Sequence, residues 1–410
     1  MITKKFLLNN LNKVLMDLKK RFSSEEFITK VKNTGNLIIE LQRLEKEKQN
    51  LQTEKNIFVK EGIKGKDKVI EINEKIKIFD EKIDLMNNQI DEIIPYIPNL
   101  LDESVPEGKN SDENVVIKVV GNTFTKPLKH YEMNLIDNAS EMTCSRFVIL
   151  KGQVSTLERA IGNFLINFLL EKGFIEVSVP LMLNEKSLSM TGHLPKEKEN
   201  MFCIPDKELY LIPTSECVLL NIMANKTINI NKPIKYTAFN MNFRKEAGAA
   251  GKDTRGLIRL HQFPKVEMVG FTKEEDSETL FNEFVINGEN ALSLLGLPYR
   301  IVNLCSGDLG FNSSKTYDLE VWMAGSNEYR EVSSISNCKD FQSIGLNCKY
   351  YDEENNNEKK YLHALNGTCL GVGRILAAIM ENYYDEKENI IHIPKALINY
   401  TKFNTIKIVK

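Results

Sequence analysis

The chain has 410 residues with 54 basic and 56 acidic side chains, and a formal net charge of -2 does not by itself indicate a nucleic-acid partner. With 42% hydrophobic residues it can bury a sizeable core, which excludes a disordered chain and a small disulfide scaffold. No apolar run approaches the roughly 20 residues that span a bilayer, and the seven cysteines contain no C-x-x-C pair. We therefore expect reduced thiols in a cytoplasmic protein without a zinc site.

The first third of the chain predicts helices. Residues 1–20 are typical of an amphipathic helix and not of a signal peptide. In residues 37–58 and again in 69–93, apolar positions recur at alternating steps of four and three, which predicts one coiled-coil seam on each helix. A turn with two glycines at 61–65 separates the seams, so an antiparallel hairpin within one chain is favoured. A coiled coil between two chains is the alternative.

A change of texture follows this helical region. Residues 95–121 are rich in proline and then polar, and they predict a linker. Helices are predicted at residues 155–172, 275–295 and 372–384, and strands at 174–179, 209–212, 235–242, 262–271, 299–304, 315–322 and 329–332. Strands in hairpin order flanked by helices predict an α+β domain around an antiparallel sheet. Neither a P-loop nor a G-x-G-x-x-G turn after a strand is present, which excludes those two kinds of nucleotide site.

Arginine is scarce in this lysine-rich chain. Only ten of the 54 basic residues are arginine, yet three of them fall within residues 244–259. Lysine can replace arginine wherever a plain positive charge is enough, but not where a planar fork with two parallel donors is needed. The cluster therefore marks a candidate site for phosphate or carboxylate chemistry.

Residues 243–271 predict two strands joined by a glycine-rich loop. Arg244 and Glu246 share one face of the first strand, and Arg259, Phe263 and Glu267, spaced by four, share one face of the second. Guanidinium groups bind phosphate bidentately, the Phe ring can stack on a base, and a carboxylate can hold an ammonium group. A surface hairpin with ordinary ion pairs is the alternative.

This stretch resembles motif 2 of the class II aminoacyl-tRNA synthetases, and in detail that of the seryl-tRNA synthetases. Further segments match the family in the same order: IPNLLDESVPEGK, GFIEVSVPLML at motif 1, LIPTSE, KTYDLEVW, EYREVSS, and LNGTCLGVGRILAAIMENY at motif 3. The resemblance covers nearly the whole chain. It implies a tRNA-binding helical hairpin arm at residues 1–105 and an α+β catalytic domain of class II type at residues 106–410.

The resemblance implies a cytoplasmic, homodimeric ligase. Such an enzyme activates L-serine with ATP and Mg²⁺ to seryl-adenylate and transfers serine to the 3′ end of tRNA(Ser), with tRNA(Sec) as a further candidate substrate. Two alternatives are a paralogue that charges a carrier protein and a non-catalytic coiled-coil binding protein. Paralogues of the first kind typically lack the helical arm, and the intact motif residues disfavour the second.

Site residues are carried over by the resemblance, position by position. Arg244 would hold the α-phosphate and the serine carboxylate, Glu246 would contact the adenine amino edge, and Phe263 and Arg374 would enclose the ring, with Arg244 and Arg374 as the catalytic pair. The implied ATP-binding set is Arg244, Lys245, Glu246, Arg259, Phe263, Glu331, Val332, Ser333, Ser334 and Arg374. The implied serine-binding set is Thr214, Ser215, Glu216, Glu267, Asn366 and Thr368. Glu331 and Ser334 would hold Mg²⁺ through ATP.

The chain departs from the family pattern at three places. Cys369 and Gly371 stand where the family often has glycine and alanine, and residues 343–345 replace an arginine pair that usually follows Phe341 and Gln342. The arm is shorter than in familiar bacterial relatives, and residues 24–94 carry 13 basic and 15 acidic side chains. We therefore expect a weaker grip on tRNA. His261 is expected to be structural.

Overall fold

The computed structural model describes residues 1–248 and 253–408 and divides into two compact units, Met1–Leu100 and Leu101–Lys410. Four residues of the predicted glycine-rich loop, 249–252, lie outside the described residues. The predicted functional division between residues 105 and 106 stays a prediction. No helix of the described part is long and apolar enough to cross a membrane.

The first unit consists of three helices, α1 (Lys4–Lys20), α2 (Glu25–Lys60) and α3 (Lys66–Asp91). Thr3 and Ser24 cap α1 and α2, because each side-chain oxygen accepts a hydrogen bond from a backbone N–H of the first turn. The predicted amphipathic helix at the start of the chain is thereby confirmed.

Helices α2 and α3 form an antiparallel pair within the chain. Near the turn, the Lys68 ammonium lies 4.5 Å from the centroid of the Phe58 ring, and further along the pair Lys48 forms an ion pair with Asp80. The seam positions of both helices are buried or half-buried, whereas most of their neighbours are exposed. The internal hairpin that the 4-3 spacing favoured is thus confirmed over pairing between chains, because each seam is covered by the other.

Replacement of Ile90 by alanine tests this packing. Ile90 is fully buried on α3, so Ile90→Ala is expected to lower the free energy of unfolding by about 2–5 kcal/mol through lost burial and a residual cavity. Ile78 on the same helix is 51% exposed, and Ile78→Ala is expected to cost less than about 0.5 kcal/mol. Urea unfolding followed by helical circular dichroism measures both. Equal effects of the two variants would contradict the assigned seam.

The second unit is built around a large sheet. Its helices are α4 (Gly152–Glu171), α5 (Glu185–Met190), α6 (Glu216–Asn221), α7 (Ser277–Leu294), α8 (Phe341–Leu346), α9 (Val372–Asn382) and α10 (Ile398–Thr401). Its strands are β1 (Val115–Val120), β2 (Ile136–Asn138), β3 (Val148–Leu150), β4 (Ile175–Glu176), β5 (Met182–Asn184), β6 (Cys203–Ile204), β7 (Leu209–Leu211), β8 (Thr227–Ile228), β9 (Ile234–Phe243), β10 (Gln262–Thr272), β11 (Tyr299–Asn303), β12 (Lys315–Met323), β13 (Glu328–Asn337), β14 (Lys349–Asp352), β15 (Glu358–Tyr361), β16 (His363–Gly371), β17 (Tyr384–Asp385), β18 (Ile390–His392) and β19 (Thr405–Lys407).

Eight of these strands form the large sheet in the order β1-β11-β12-β13-β16-β10-β9-β4. All neighbouring pairs are antiparallel except β4 and β9, which run parallel at one edge. Helices α4, α7 and α9 cover one face, where Val266 and Met268 of β10 and Ile335 of β13 are fully buried in the main core. The α+β class and the antiparallel sheet are confirmed.

Because side chains alternate along a strand, the residues between these core positions point to the opposite face of the sheet. Phe263, Lys265 and Glu267 of β10 therefore share one face. Opposite Val266 and Glu267 the register with β16 shifts, so that Cys369 and Leu370 both enter the core while Thr368 stays on the other face. Cys369 thus packs fully buried behind the face that carries the site.

Two strands of the sheet were missed in the sequence. The predicted linker contains β1, whose β-branched residues pair with β11 at the edge of the sheet while their side chains stay largely exposed. Strand β16 is central, but glycine at 367 weakens its local strand signal, and its neighbour Ile335 occupies the space a side chain there would fill. The linker interpretation of residues 115–120 was wrong. A segment at the edge of a sheet becomes a strand by backbone pairing with one neighbour, here β11, even where its side chains stay exposed.

Candidate active site

A cavity of about 400 Å³ opens on the sheet face opposite α4, α7 and α9. Thirteen of the residues implied by the resemblance line it: Thr214, Glu216, Arg244, Glu246, Arg259, Phe263, Glu267, Glu331, Val332, Ser334, Asn366, Thr368 and Arg374. They come from the start of α6, from the segment between β9 and β10, and from β10, β13, β16 and α9, so the fold collects them from segments far apart in the chain.

Three implied residues are not among those that line the cavity. Ser215 is fully buried beside the start of α6, and Lys245 is exposed with its ammonium 5.9 Å from the Phe202 ring centroid. The Ser333 hydroxyl donates a hydrogen bond to the Thr368 carbonyl, which ties β13 to β16. Their implied roles in ligand binding stay predictions.

One end of the cavity holds a buried group of polar side chains around Thr214. Its hydroxyl donates to Glu267 Oε2 at 3.0 Å and accepts from Lys265 Nζ at 2.8 Å and from the Glu216 backbone N–H at 3.2 Å. Lys265 also forms an ion pair with Glu267 Oε2. This end can therefore hold a small ligand that carries an ammonium group and a hydroxyl.

A second layer of hydrogen bonds orients Glu216 and Asn366. The Gln342 amide donates to Glu216 Oε1 at 2.7 Å, and Asn366 Nδ2 donates to Gln342 Oε1 at 3.2 Å. Gln342 itself is fully buried on α8. Gln342 directly precedes residues 343–345, where the chain departs from the family pattern. This segment is therefore connected to the cavity, because the Gln342 side-chain amide supports two cavity residues, Glu216 and Asn366.

Burial dominates the electrostatics of this end of the cavity. It raises the pKa of the Glu267 carboxyl; the positive charge of Lys265 opposes this shift and the negative charge of Glu216 adds to it. Burial also raises the pKa of the Cys338 and Cys369 thiols, which are therefore neutral at physiological pH. Glu267 is the buried carboxylate through which this end can bind a cation.

The other end of the cavity carries the arginines. Arg244 donates from Nε to the Pro213 carbonyl at 3.2 Å, and its guanidinium lies 5.4 Å from the Phe263 ring centroid. Arg374 donates to the Ile258 carbonyl at 3.2 Å and to the Glu331 carbonyl at 2.6 Å. Both side chains are thus anchored through backbone carbonyls. Arg374 Nη1 also lies 3.5 Å from Glu331 Oε2, whereas Arg244 forms no ion pair with the described residues, so its charge is available for a ligand.

Arg259 is held by carboxylates instead. It pairs with Glu246 Oε2 at 3.0 Å and with Asp253 Oδ2 at 3.3 Å, and Asp253 also pairs with Arg330 at 2.9 Å. The adenine contact implied for Glu246 therefore competes with this ion pair.

Three oxygen-bearing side chains on β12 and β13 could hold a divalent cation. Glu331 and Ser334 line the cavity, and Asp318 lies opposite Ser334 in the strand pairing. Burial, with the negative charge of Glu331 nearby, raises the pKa of Asp318 well above its usual range, and its Oδ1 has no hydrogen-bond partner among the described residues. An unsatisfied carboxylate oxygen beside another carboxylate and a hydroxyl fits the hard-oxygen preference of Mg²⁺.

His130 holds the segment that leads into β10. Leu257 N–H donates to His130 Nε2 at 3.1 Å, and His130 Nδ1 donates to Glu381 Oε1 at 2.7 Å. Gly256 has a φ of +77°, and a Cβ there would lie 2.2 Å from His130 Nε2. His261 donates from Nδ1 to the Arg244 carbonyl at 2.9 Å, in agreement with the structural role expected for it.

The residues of this site that were missed in the sequence include Lys265, Gln342 and His130. Lys265 could have been found, because strict alternation from Phe263 to Glu267 places it on the same face. Gln342 and His130 act through contacts with residues 126 and 127 positions away, for which the sequence pattern carries no signal.

Residues 202–383 match the family model described as tRNA synthetase class II core domain (G, H, P, S and T). A serine–tRNA ligase of Campylobacter jejuni subsp. doylei is 42% identical over 417 residues, covering 98% of this chain and 100% of that protein. A serine–tRNA ligase of Nautilia profundicola is 44% identical over 413 residues, covering 93% and 98%.

Solved structures agree. The seryl-tRNA synthetase of Pyrococcus horikoshii, complexed with ATP, matches with a TM-score of 0.94 and 32% identity over the full length of both chains. The cytoplasmic serine–tRNA ligase of Naegleria fowleri, in complex with AMP, matches with a TM-score of 0.88 and 29% identity, covering 98% of this chain and 96% of that one.

Proposed function

This chain belongs to the seryl-tRNA synthetase family of the class II aminoacyl-tRNA synthetases, and from that premise we propose how its cavity works. The chain is a serine–tRNA ligase that charges tRNA(Ser) with L-serine, using ATP. Serine takes the end of the cavity around Glu267, and ATP takes the end that carries the arginines. We also propose a cytoplasmic homodimer, with tRNA(Sec) as a further candidate substrate.

The observation that carries this proposal is the division of the cavity by charge. The buried carboxylate of Glu267 and the guanidinium of Arg244, which lies 5.4 Å from the Phe263 ring centroid, line the same cavity. A zwitterionic amino acid fits this arrangement, with its ammonium group toward Glu267 and its carboxylate toward Arg244. A site built of buried polar partners rejects alanine because those partners would be left unpaired.

In the first step a serine carboxylate oxygen attacks the α-phosphorus of ATP. The new bond joins that oxygen to phosphorus, the bond to the bridging oxygen of the β-phosphate breaks, and pyrophosphate leaves. Arg244 neutralises the negative charge that builds on the phosphoryl oxygens, and it is held in place by the Pro213 carbonyl. Catalysis is positioning and electrostatics, since no side chain becomes a nucleophile.

In the second step the terminal ribose hydroxyl of the tRNA attacks the seryl carbonyl. The ester forms, AMP leaves with the electron pair of the broken anhydride bond, and the hydroxyl proton passes to the departing phosphate or to water. We propose that the helical hairpin of α2 and α3 binds the tRNA, as the family resemblance implies. Its 36- and 26-residue helices are roughly 54 and 39 Å long at 1.5 Å per residue.

The oxygen ligands on β12 and β13 fit Mg²⁺ bound together with ATP. Glu331 and Ser334 would hold it, with Asp318 beside them. Mg²⁺ neutralises phosphate charge when it is bound. We propose that the remaining residues of this end orient the nucleotide: Arg374 and Phe263 would enclose the base, and Arg259 would contact the terminal phosphates, as the family resemblance implies.

Serine-dependent exchange of pyrophosphate into ATP tests the first step. We expect exchange with L-serine and very little with L-alanine, followed by serylation of total tRNA. No exchange at saturating serine would overturn the assigned activation step. Exchange without any charging of tRNA would instead favour the paralogue that loads a carrier protein.

A further inference from the structure

The pair formed by Lys265 and Glu267 needs an explanation beyond stability. Both lie on the cavity face of β10, where Lys265 is 7% and Glu267 1% exposed. Removing two charges from water is costly, and a buried ion pair often contributes less to stability than apolar residues of similar volume. The location of this buried pair on the face of β10 that lines the cavity therefore points to a role in binding.

The Thr214 hydroxyl, which contacts both Lys265 and Glu267, has no hydrogen-bonding capacity left. A hydroxyl has one hydrogen and two lone pairs, and Thr214 uses all three with Glu267 Oε2, Lys265 Nζ and the Glu216 N–H. Thr214 therefore cannot contact a substrate directly without breaking one of these bonds. Its part in binding serine is to orient Glu267.

The two oxygens of Glu267 are consequently different. Oε2 accepts from Thr214 and pairs with Lys265, whereas Oε1 accepts no hydrogen bond from any described residue. Oε1 is the atom of Glu267 that a ligand can use. Because it belongs to a buried carboxylate, its attraction for an ammonium group is weakly screened by water.

A carboxylate this deeply buried stays charged only with a cation beside it. Among the residues that the structure describes, the charged and titratable groups that face Glu267 are Lys265 on its own strand, Glu216 from α6 and the Cys369 thiol from β16. Of these, Lys265 alone is positive. Without it, burial and Glu216 would both favour the protonated form, which cannot bind a cation as an anion does.

We propose that Lys265 is a positioning residue for the amino-acid substrate: it engages Oε2 of Glu267, keeps that carboxylate charged, and leaves Oε1 to accept the α-ammonium group of serine. This inference rests on the proposed function. Lys265 is a resident counter-ion that makes a buried carboxylate usable as an ammonium receptor.

The variant Lys265→Met tests this role in the full-length protein by serine-dependent pyrophosphate exchange. At neutral pH its KM for serine is expected to rise about tenfold or more, because the substrate loses one charge-assisted hydrogen bond. Its KM for ATP is expected to stay within about twofold of the wild-type value. With rising pH Glu267 ionises again, so the KM for serine of the variant falls, whereas that of the wild type changes little. Lys265→Arg restores the charge and is expected to remove most of the pH dependence.

Lys235→Met is the matched control. Lys235 lies on the neighbouring strand β9 and pairs with Glu283 at 2.7 Å, outside the cavity lining. Its loss removes a comparable ion pair from the same sheet and is expected to leave the KM for serine unchanged. Thermal unfolding of both variants separates loss of fold from loss of binding.

The outcomes distinguish this inference from the proposed function. Wild-type protein without serine-dependent exchange would overturn the function itself. Active wild type together with an unchanged serine KM in Lys265→Met, or a rise that is independent of pH and shared with ATP, would overturn the role of Lys265. If Lys265→Met does not fold, Lys265→Gln replaces it as the uncharged variant and is compared with Lys265→Arg. A serine KM that depends on pH in Lys265→Gln but not in Lys265→Arg supports the proposal. The same pH dependence in both variants would overturn it.

Discussion

Arg244→Gln is expected to lower the turnover of serine-dependent pyrophosphate exchange about a thousandfold. Removal of one preorganised donor to a developing oxyanion costs about 10²–10³ in turnover, and the substitution of Arg244 by glutamine also removes a full positive charge from the site. Its Nε is held by the Pro213 carbonyl, and its terminal nitrogens make no hydrogen bond with the described residues. The end of the guanidinium that faces the cavity is therefore available for phosphate and carboxylate oxygens.

Arg244→Lys is expected to restore little of this loss. A lysine ammonium is a point charge and cannot reproduce two parallel N–H groups in a plane, nor the stacking of a guanidinium 5.4 Å from the Phe263 centroid. Arg43→Gln, on the exposed side of α2, is the matched control and should leave exchange unchanged. A tenfold loss or less in Arg244→Gln would contradict a role for this residue in the chemical step.

Glu267→Gln is expected to have the second-largest effect, on serine binding. The change keeps the shape of the side chain and removes its charge, so the KM for serine should rise about 10- to 100-fold with little change in the KM for ATP. The variant also leaves Lys265 buried without its partner, and the free energy of unfolding should fall by about 3 kcal/mol. Exchange kinetics and urea unfolding measure the two effects separately.

Glu283→Gln is the control, since Glu283 also pairs with a lysine of the sheet but does not line the cavity. It should leave serine kinetics unchanged. The double variant Glu267→Gln with Lys265→Met is expected to cost much less than the sum of the two single changes, because each removes the same interaction. Additive losses would show that the two residues act independently.

Much of the fold could be predicted from spacing alone. The 4-3 pattern in residues 69–93 predicted the packed face of α3, and its positions are all buried or half-buried. The same kind of local pattern failed for β1 and β16. At β1 a prolyl and polar context suggested a linker, although pairing with β11 makes the segment a strand. At β16 the glycine that allows Ile335 to approach weakened the local signal.

The arginine cluster and the order of the motifs predicted where the cavity lies. Arg244, Phe263, Glu267 and Arg374 all line it. The same reasoning placed Thr214 in the serine-binding set, and the structure adds that its hydroxyl is hydrogen-bonded to Lys265, Glu267 and a backbone N–H. Individual roles in ligand binding stay predictions.

The amino-acid sequence by itself determined the helical hairpin, the α+β class and the family, because periodicity and the order of motifs are properties of a linear chain. Only the tertiary structure decided which polar atoms form hydrogen bonds with each other. Lys265 and Thr214 are 51 positions apart, and Gln342 and Glu216 are 126 apart. Such contacts depend on where the sheet places each strand to within a fraction of an ångström, and a hydrogen bond is satisfied or lost on that scale.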